Sequence, residues 1–305
     1  MKTTKMIIKK IIGQRLISIF RDYSIVPGLL LRELSRMVIL IRNKRKYVDD
    51  PEVLLCELRT AAHIVDKGIQ ADNWEKGRGG EPYNRLCKLI EKSKRFNIME
   101  DPSYCWAYGR KIAYEEAQKS GKNYFDHNAE VVPSNINKND LLNLIQGRRS
   151  IRFFENRQIP FDILEELANV INWSPTSCNR QPTKLFITQE PTRVETCLKQ
   201  CAGATSLGEI TPCFISVCSD TRFYMIKDRN LSFIDTCLGL QNMLLMAHCQ
   251  GIEATILNWM HHTPEEDRIL RATLEIPEFY TIIANLIIGY PARITPPPGR
   301  KAANK

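Results

Sequence analysis

The stretch "LLNLIQGRRSIRFFENRQIP", Leu141–Pro160, joins an apolar amphipathic segment to a cluster of cations. Arg148, Arg149, Ser150 and Arg152 fall within five residues at the end of the predicted helix. A single arginine is ordinary there, because a cation near a helix C-terminus stabilises the helix by about 0.3–1 kcal/mol. Three cations repel one another, so the cluster is either a solvated basic surface or a site for an anion. A phosphate would suit such a site, since guanidinium groups match its oxygens with paired hydrogen bonds.

The composition is that of a globular protein with one unusual end. The chain has 305 residues, a length typical of about two domains, with 43% apolar and 25% charged residues. Its formal charge of +9 is concentrated in residues 1–46, where twelve Lys or Arg stand against Asp22 and Glu33. The remainder is therefore nearly neutral, and basicity is a property of the N-terminal arm alone.

Residues 1–46 alternate apolar clusters with cations, as in "MIIKKIIGQRLISIF" and "LLLRELSRMVILIRNKRK". This pattern predicts basic amphipathic helices, with Pro27 and Gly28 separating two of them. Such helices can lie on an anionic membrane surface. Alternatively, they dock on their own protein or on a dimer partner and keep the basic face in solvent. Nucleic acid is not an expected partner, because the arm has almost no aromatic residues to stack on bases.

The ten cysteines are scattered, and Cys213 and Cys218 lie inside the apolar run "CFISVC". No CxxC motif is present, and Cys197 and Cys201 have no histidine at zinc-ligand spacing. We therefore expect reduced thiols, no metal site and a cytoplasmic protein, with peripheral contact at the inner membrane face as the alternative for the basic arm. No run of about 18 apolar residues predicts a membrane span. Met1–Phe20 also lacks the apolar region and cleavage site of a signal peptide.

The pattern from about Asp50 to Gly121 predicts further helices, interrupted by "EKGRGGEP" at Glu75–Pro82. This Gly-rich loop is a weak candidate for phosphate binding, because it follows no predicted strand and lacks the Walker Lys-Ser/Thr pair. The polar stretch "HNAEVVPSNINKND" then predicts a domain boundary near Pro133. The expected division is a basic and then helical extension at 1–133 and a second domain at 134–305.

The second domain is predicted to mix helices with short strands. Asn139 or Asp140 is the expected cap of the helix that leads into the arginine cluster, and another helix starts near Pro160 or Asp162. The predicted strands are "KLFIT", "PCFISVC", "ATILN" and "TIIANLIIGY", and a long apolar helix covers Asp235–Gln250. Together these elements predict an α+β domain with a covered sheet.

Between a helix and a strand lies "SPTSCNRQPT", Ser174–Thr183, whose uncharged donors and acceptors suit amides and hydroxyls. Alone it is a polar connecting loop. However, "LLNLIQGRRSIRFF" followed by "IPFDILEELANVINWSPTSCNRQPTKLFI" resembles the opening of the nitroreductase family of FMN-dependent oxidoreductases. That family has an Arg-Arg-Ser-x-Arg helix end and then an Ala-Pro-Ser-x-x-Asn-x-Gln-Pro-Trp loop. The resemblance continues through "TPCFISVCSD", "DTCLGLQNMLLMAHCQGIEAT" and "IPEFYTIIANLIIGYP", and it covers about Lys138–Arg300 in order.

The resemblance implies a three-layer α+β domain whose central, mostly antiparallel sheet is flanked by helices, preceded here by an all-α extension. It also implies a homodimer with two flavins at its interface, where the long central helix packs between subunits. The family's minimal domain has no counterpart of residues 1–133, so the resemblance says nothing about their role.

Carried onto this sequence, the resemblance implies that Arg148 and Ser150 help to hold the FMN phosphate. Arg152 would lie near the pyrimidine edge of the isoalloxazine, where a fixed cation favours flavin reduction. Arg149 matches a more variable position. Arg300, and Lys301 beside it, match the late basic position that completes the phosphate site.

Four positions match the loop that contacts the flavin from the other subunit: Pro175, Thr176, Ser177 and Asn179. Ala254 and Thr255, in the turn "GIEAT", fall where the family offers a backbone N–H to the flavin N5 edge. Two departures from the family pattern are Thr183 in place of the usual tryptophan and Ser174 in place of alanine. They concern the shape of the substrate pocket more than flavin binding.

The implied activity is two-electron reduction of a small organic acceptor through FMN, with NAD(P)H as the family's default reductant. No catalytic side chain is nominated, because the cofactor carries the electrons and protons can come from water. Two alternatives stay open: a specialised flavin chemistry without NAD(P)H, or a flavin-binding scaffold whose N-terminal helices dock on a membrane or partner. The adjacent His261 and His262 project in different directions, which favours a loop or pocket rim over a joint metal site.

Overall fold

The computed structural model of the protein describes residues 23–123, 134–204, 207–260 and 262–301. Residues 1–22 of the basic arm, the predicted boundary near Pro133 and His261 lie outside these ranges. Within the described ranges, no helix is long and apolar enough to cross a membrane.

The secondary-structure elements described up to residue 123 are helices joined by turns, as the pattern predicts. The helices are α1 (Val26–Lys46), α2 (Pro51–Ile69), α3 (Gly80–Ser93) and α4 (Pro102–Ser120). Proline lies in the first turn of α1, α2 and α4. Backbone N–H groups in a first turn have no acceptor within the helix, so proline, which lacks an N–H, loses no helical hydrogen bond there. Asp50 and Asp101 accept hydrogen bonds from the first backbone N–H groups of α2 and α4.

Helices α2, α3 and α4 pack around a hydrophobic core of their own. Leu54, Leu58 and Leu86 are fully buried there, and Tyr83 stacks on Tyr114 with ring centroids 4.3 Å apart. Burial of such side chains is the main favourable term in folding. Helices α2, α3 and α4 therefore form a structured unit.

The elements after residue 134 alternate helices with strands, which confirms the α+β prediction. They are α5 (Lys138–Gly147), α6 (Phe161–Val170), β1 (Thr183–Thr188), α7 (Pro191–Lys199), β2 (Cys213–Asp220), α8 (Leu231–Cys249), β3 (Glu253–Leu257), α9 (Pro264–Leu274) and β4 (Tyr280–Gly289). The strand order is β1-β2-β4-β3, and every neighbouring pair is antiparallel. All four predicted strands are present.

The sheet is covered on both faces, which gives the three layers that the resemblance implies. Every residue of β2 is buried, and its side chains alternate between the faces. Ile215 packs with Met243 of α8 in one core, whereas Phe214 packs with Val194 of α7 and Leu270 of α9 in another. The sequence of β2 is a nearly continuous apolar run because both of its faces are buried.

Two predictions about helix boundaries need correction. The cap of α5 is Asn137, whose side chain accepts from the N–H of Asn139 at 2.8 Å, and not Asn139 or Asp140. Asn137 has the extended backbone that a cap requires, whereas the two later residues are already helical. α8 begins at Leu231, one turn before the predicted Asp235.

Helix α9 was not predicted, although its start carries a recognisable motif. The Thr263 hydroxyl accepts from the N–H of Glu266, and the Glu266 carboxylate accepts from the N–H of Thr263. This reciprocal capping box, followed by Pro264 in the first turn, is a standard helix start.

Candidate functional site

The arginine cluster is locked against the edge of the sheet by backbone contacts. Ser150 forms a parallel β-bridge with Ala254, and the Thr255 hydroxyl donates to the Ile151 carbonyl at 2.5 Å. The structure thereby brings together Ser150, Ala254 and Thr255, which the sequence assigned to one cofactor site.

Two of the three arginines in this segment leave their charge available. Among the described residues, the guanidinium groups of Arg148 and Arg152 have no hydrogen-bond or ion-pair partner. Arg152 and Ser150 are exposed, and Arg148 is half-buried. Cations that repel one another and have no protein counter-charge favour a bound anion. This arrangement fits the phosphate that the resemblance implies.

Arg149 has a different environment from its two neighbours. Its guanidinium donates to the Gln146 carbonyl and, at 2.9 Å, to the Arg148 carbonyl, at the end of α5. The carbonyls of a last helical turn lack partners within the helix, so a basic side chain that reaches back to them stabilises the helix end. We assign Arg149 to helix capping, which agrees with its match to a variable position.

A histidine and a glutamate support the arginine segment from behind, and the sequence did not point to either. The Glu253 carboxylate accepts from the backbone N–H of Arg149 at 3.3 Å and lies 2.5 Å from Nδ1 of His248. The His248 ring fills the space beside Gly147, where a Cβ atom would lie 2.6 Å from Nε2. Gly147 is therefore needed for this close approach.

The second predicted half of the site, the Ser174–Thr183 loop, is held by a buried carboxylate. Oδ1 of Asp235 accepts from both the N–H and the hydroxyl of Ser177 at 3.1 Å. Its Oδ2 accepts from the Tyr224 hydroxyl at 2.7 Å, and burial together with this carboxylate raises the pKa of Tyr224. Asp235 is 2% exposed, so one buried α8 side chain satisfies two donors of the loop and the Tyr224 hydroxyl. No role was predicted for Asp235 or Tyr224 from the sequence.

The loop has an unusual backbone for residues that are not glycine. Cys178, Asn179 and Gln181 have φ values of 54°, 55° and 50°. Each such residue costs roughly 1 kcal/mol or more, and asparagine tolerates the left-handed region best. Local hydrogen bonds offset part of this cost: the N–H of Gln181 donates to the Thr176 hydroxyl and its side chain to Asn179. Pro175 lies exposed at the start of the loop.

The two departures from the family pattern have structural explanations. The Thr183 hydroxyl lies 3.2 Å from that of Thr236 on α8, so a small polar pair stands where the pattern has a large ring. The Ser174 hydroxyl donates to the Ile171 carbonyl at 2.9 Å and lies against Gly239 of α8.

The two halves of the site lie at opposite ends of the sheet within one chain. Thr183 of β1 pairs with Ser219 of β2, which in turn pairs with Thr281 near the start of β4. Ala254 of β3 pairs with Ile288 near the end of β4. The seven residue steps from Thr281 to Ile288 correspond to roughly 23 Å at the usual strand rise. One chain therefore does not bring the arginine segment and the loop to a common point.

The late basic pair is described but is not brought to the other residues. Arg300 and Lys301 are exposed, and the contact of the Arg300 side chain is with the carbonyl of its neighbour Gly299 at 3.3 Å. Their proposed share in the phosphate site stays a prediction from the resemblance.

A separate cleft of about 830 Å³ lies between α1 and the second domain. His262 lines it, stacked on Trp259 with centroids 4.1 Å apart and in contact with the Arg32 guanidinium. Burial lowers the pKa of His262. This position agrees with the predicted pocket rim. In the described ranges, no group of three His, Cys, Asp or Glu side chains could hold a metal ion.

Comparison with known proteins bears on this domain. A profile of the nitroreductase family matches residues 145–211 and 199–290, close to half of the chain. A protein of Archaeoglobus fulgidus provisionally named an NADH dehydrogenase/NAD(P)H nitroreductase is 29% identical over 157 residues, 50% of this chain and 86% of its own.

Solved structures also match the second domain. A protein of Parabacteroides distasonis with the same provisional name is 27% identical, with a TM-score of 0.48 over 54% of this chain and 95% of its own. A nitroreductase of Bacteroides fragilis, solved with bound FMN, is 18% identical, with a TM-score of 0.45 over 55% of this chain and 98% of its own.

The nitroreductase family profile matches this chain over residues 145–290, in line with the resemblance of the ordered motifs. The matched range encloses the arginine segment, the Ser174–Thr183 loop and the turn at Ala254. Arg300, Lys301 and the helical extension lie outside it.

Proposed function

We propose that this chain is an FMN-dependent oxidoreductase that reduces a small organic acceptor by two-electron transfer. The observation that carries the proposal is the pair of available guanidinium groups, Arg148 and Arg152, at the edge of the sheet in a nitroreductase-family domain. When bound, FMN supplies electron storage and transfer, which no side chain can provide. NAD(P)H is the proposed reductant, in keeping with the name of the archaeal relative.

Each residue at the edge of the sheet has a proposed task toward FMN. Arg148 and Ser150 would bind its phosphate, with Arg300 or Lys301 approaching from the chain end. Arg152 would stabilise negative charge on the pyrimidine side of the flavin. Ala254 or Thr255, in the strand fixed by the bridge to Ser150, would present a backbone N–H to the ring. Glu253 and His248 would support the backbone of this segment without contacting the cofactor.

We further propose that two copies of the chain complete each site. The loop residues Thr176, Ser177 and Asn179 lie at the opposite end of the sheet from the arginines, so they would reach the flavin of a partner. The outward face of α8 supports this arrangement, because Ile234 and Leu238 are 55% and 43% exposed on a helix whose opposite side is buried. An apolar stripe of this kind is suited to a subunit interface.

The test of the cofactor and reductant is an absorption spectrum followed by anaerobic titration. Purified protein should be yellow and should bleach on addition of NADH or NADPH. A colourless protein that takes up no FMN would refute the cofactor assignment. Bleaching with dithionite but with neither nucleotide would favour a specialised flavin chemistry, and reoxidation by O₂ alone, with no acceptor stimulating turnover, would favour a flavin-binding scaffold.

The shared site is tested by mixing two inactive variants. Arg148→Ala damages the arginine half, and Asn179→Trp damages the loop half. If each site combines halves from two chains, a co-refolded equal mixture should regain about a quarter of the wild-type sites, because half of randomly paired dimers carry one intact site. No recovery would place both halves of each site on one chain.

A second role, as a peripheral membrane protein at the cytoplasmic face, is favoured by the outward surface of α1. Leu31, Leu34 and Val38 are 65%, 57% and 54% exposed on one side of this helix, and Arg42 and Arg45 follow on the same side. Two copies packed through this surface would oppose their cations, whereas an anionic lipid surface neutralises them. We therefore favour lipid over a second copy here.

Co-sedimentation with vesicles tests this role. The full chain should bind vesicles that contain phosphatidylglycerol and should not bind pure phosphatidylcholine vesicles. The double change Leu34→Glu with Val38→Glu should abolish binding, whereas Ile294→Glu, at a more exposed apolar residue outside α1, should not. Equal binding by the two variants would contradict a lipid-facing α1.

A further inference from the structure

One side chain of the extension reaches the backbone of the Ser174–Thr183 loop. Arg59, on α2, donates from Nε to the Asn179 carbonyl at 3.1 Å and from Nη2 to the Arg180 carbonyl at 2.8 Å. Its Nη1 donates to the Ser103 hydroxyl of α4 at 2.9 Å. Arg59 is 6% exposed, so these bonds form inside the protein, at the junction of the extension and the family domain.

The partners of Arg59 are all neutral. Within the described part of the chain, no carboxylate lies at ion-pair distance from its guanidinium. A buried cation without a counter-charge is unfavourable unless its hydrogen bonds are well made. The planar fork of arginine makes two such bonds at once to adjacent carbonyls, which lysine cannot do.

These two carbonyls belong to the part of the loop that has left-handed backbone. Asn179 lies between Cys178, at φ 54°, and Gln181, at φ 50°. Without a donor, the carbonyls of Asn179 and Arg180 would be buried and unpaired, and the chain could relax to a commoner conformation. Asp235 holds the start of the loop and Arg59 holds its middle.

We propose that Arg59 is a positioning residue for FMN, so that the helical extension forms part of the cofactor site. By fixing the carbonyls of Asn179 and Arg180, it sets the loop surface that meets the flavin of the partner subunit. The inference rests on the proposed function. It gives the extension a task that the family's minimal domain must fulfil in another way.

The experiment compares Arg59→Met with the control Arg110→Met. Arg110 is also an arginine of the helical extension, and it pairs within the extension, with Asp66 of α2 at 2.8 Å. We expect Arg59→Met to weaken FMN binding at least tenfold, measured by flavin fluorescence, and Arg110→Met to change it less than twofold. Arg59→Lys should fall between wild type and Arg59→Met. Equal FMN affinity in the two methionine variants would overturn the inference.

A second readout does not depend on FMN. Arg180 precedes Gln181, so trypsin can cut the loop there once its backbone is released. In the protein without added FMN, cleavage after Arg180 should be at least tenfold faster in Arg59→Met than in Arg110→Met. Equal cleavage rates would overturn the inference even if FMN affinity changed.

Variants and wild type together separate the possible failures. If Arg59→Met does not fold, the Ser103→Ala variant is tested in its place. It removes one hydrogen-bond acceptor of the Arg59 guanidinium and keeps the charge. Unchanged tryptic cleavage in Ser103→Ala would contradict the inference. A wild type that takes up no FMN would refute the proposed function. A wild type that binds FMN, with Arg59→Met binding it equally well, would refute the inference alone.

Discussion

The two halves of the proposed site are built in opposite ways. The arginine segment is held by backbone pairing with β3, and its charged ends are left without protein partners. The Ser174–Thr183 loop has its polar groups satisfied internally, by Asp235, Arg180 and Arg59, and carries left-handed backbone. The first half offers charge to a ligand, and the second offers a fixed shape. Removing a side chain should therefore affect binding in the first half and folding in the second.

The largest expected effect is in the loop. Asp235→Ala removes the acceptor of three buried donors on Ser177 and Tyr224, and we expect a loss of roughly 3 kcal/mol in the free energy of unfolding. Urea denaturation monitored by circular dichroism measures it. Asp235→Asn, which keeps one acceptor, should lose less. A loss below about 1 kcal/mol in the alanine variant would show that the loop is not held by this carboxylate.

In the arginine segment the expected effect is on binding. Arg148→Ala should weaken FMN binding by roughly 10- to 100-fold, the size of one or two charge-assisted hydrogen bonds. The free energy of unfolding without FMN should change by less than about 0.5 kcal/mol, because the guanidinium has no protein partner in the described structure. Fluorescence titration and urea denaturation provide the two values. If stability fell as far as in Asp235→Ala, the contrast between the halves would disappear.

A smaller loss of stability is expected at Gly147, where His248 packs against the arginine segment. In Gly147→Ala the new Cβ would lie 2.6 Å from Nε2 of His248, whose ring must move away from Glu253. We expect a loss of about 1 kcal/mol in unfolding free energy, together with weaker FMN binding as the support of Arg149 loosens. In the double variant with His248→Ala the added loss should vanish, and its persistence would exclude the contact as the cause.

The smallest effect tests the strain in the loop. Cys178→Gly should be neutral or stabilise the protein by up to about 1 kcal/mol, because glycine adopts a φ of 54° without steric cost. Cys178→Ala, which keeps the Cβ atom, should not stabilise it. Thermal unfolding of both variants makes the comparison. A glycine variant clearly less stable than the alanine variant would indicate that the loop is not strained at this residue.

Local patterns in the sequence allowed much of the fold to be predicted. The apolar runs of β2 and β4 appeared as strands, because both faces of the sheet are covered. The reduced state of the ten cysteines also agrees with the structure, where all ten are free; burial raises the pKa of Cys197, Cys201 and Cys213 to about 12. Helix starts were less certain, as Asn137 and Leu231 show, because several neighbouring residues have similar capping propensity.

The supporting residues of the site could not be predicted in the same way. Asp235 lies in an apolar helix 58 positions after Ser177, and Arg59 lies 120 positions before Asn179. No local pattern connects residues so far apart, and a buried aspartate or arginine has no signature until its partners are known. His248 and Glu253 were missed for the same reason, although only four residues separate them, because their task depends on Gly147 and Arg149.

The sequence alone determined the order of elements, the buried character of the strands, the basic arm and the residues of the cation cluster, because each depends on neighbours along the chain. Only the tertiary structure decided that Arg149 caps a helix while Arg148 and Arg152 stay available, and that the two halves of the site lie at opposite ends of one sheet. It also decided that the extension holds the loop through Arg59. These features depend on buried hydrogen bonds between distant segments, and such bonds exist only once the chain has packed.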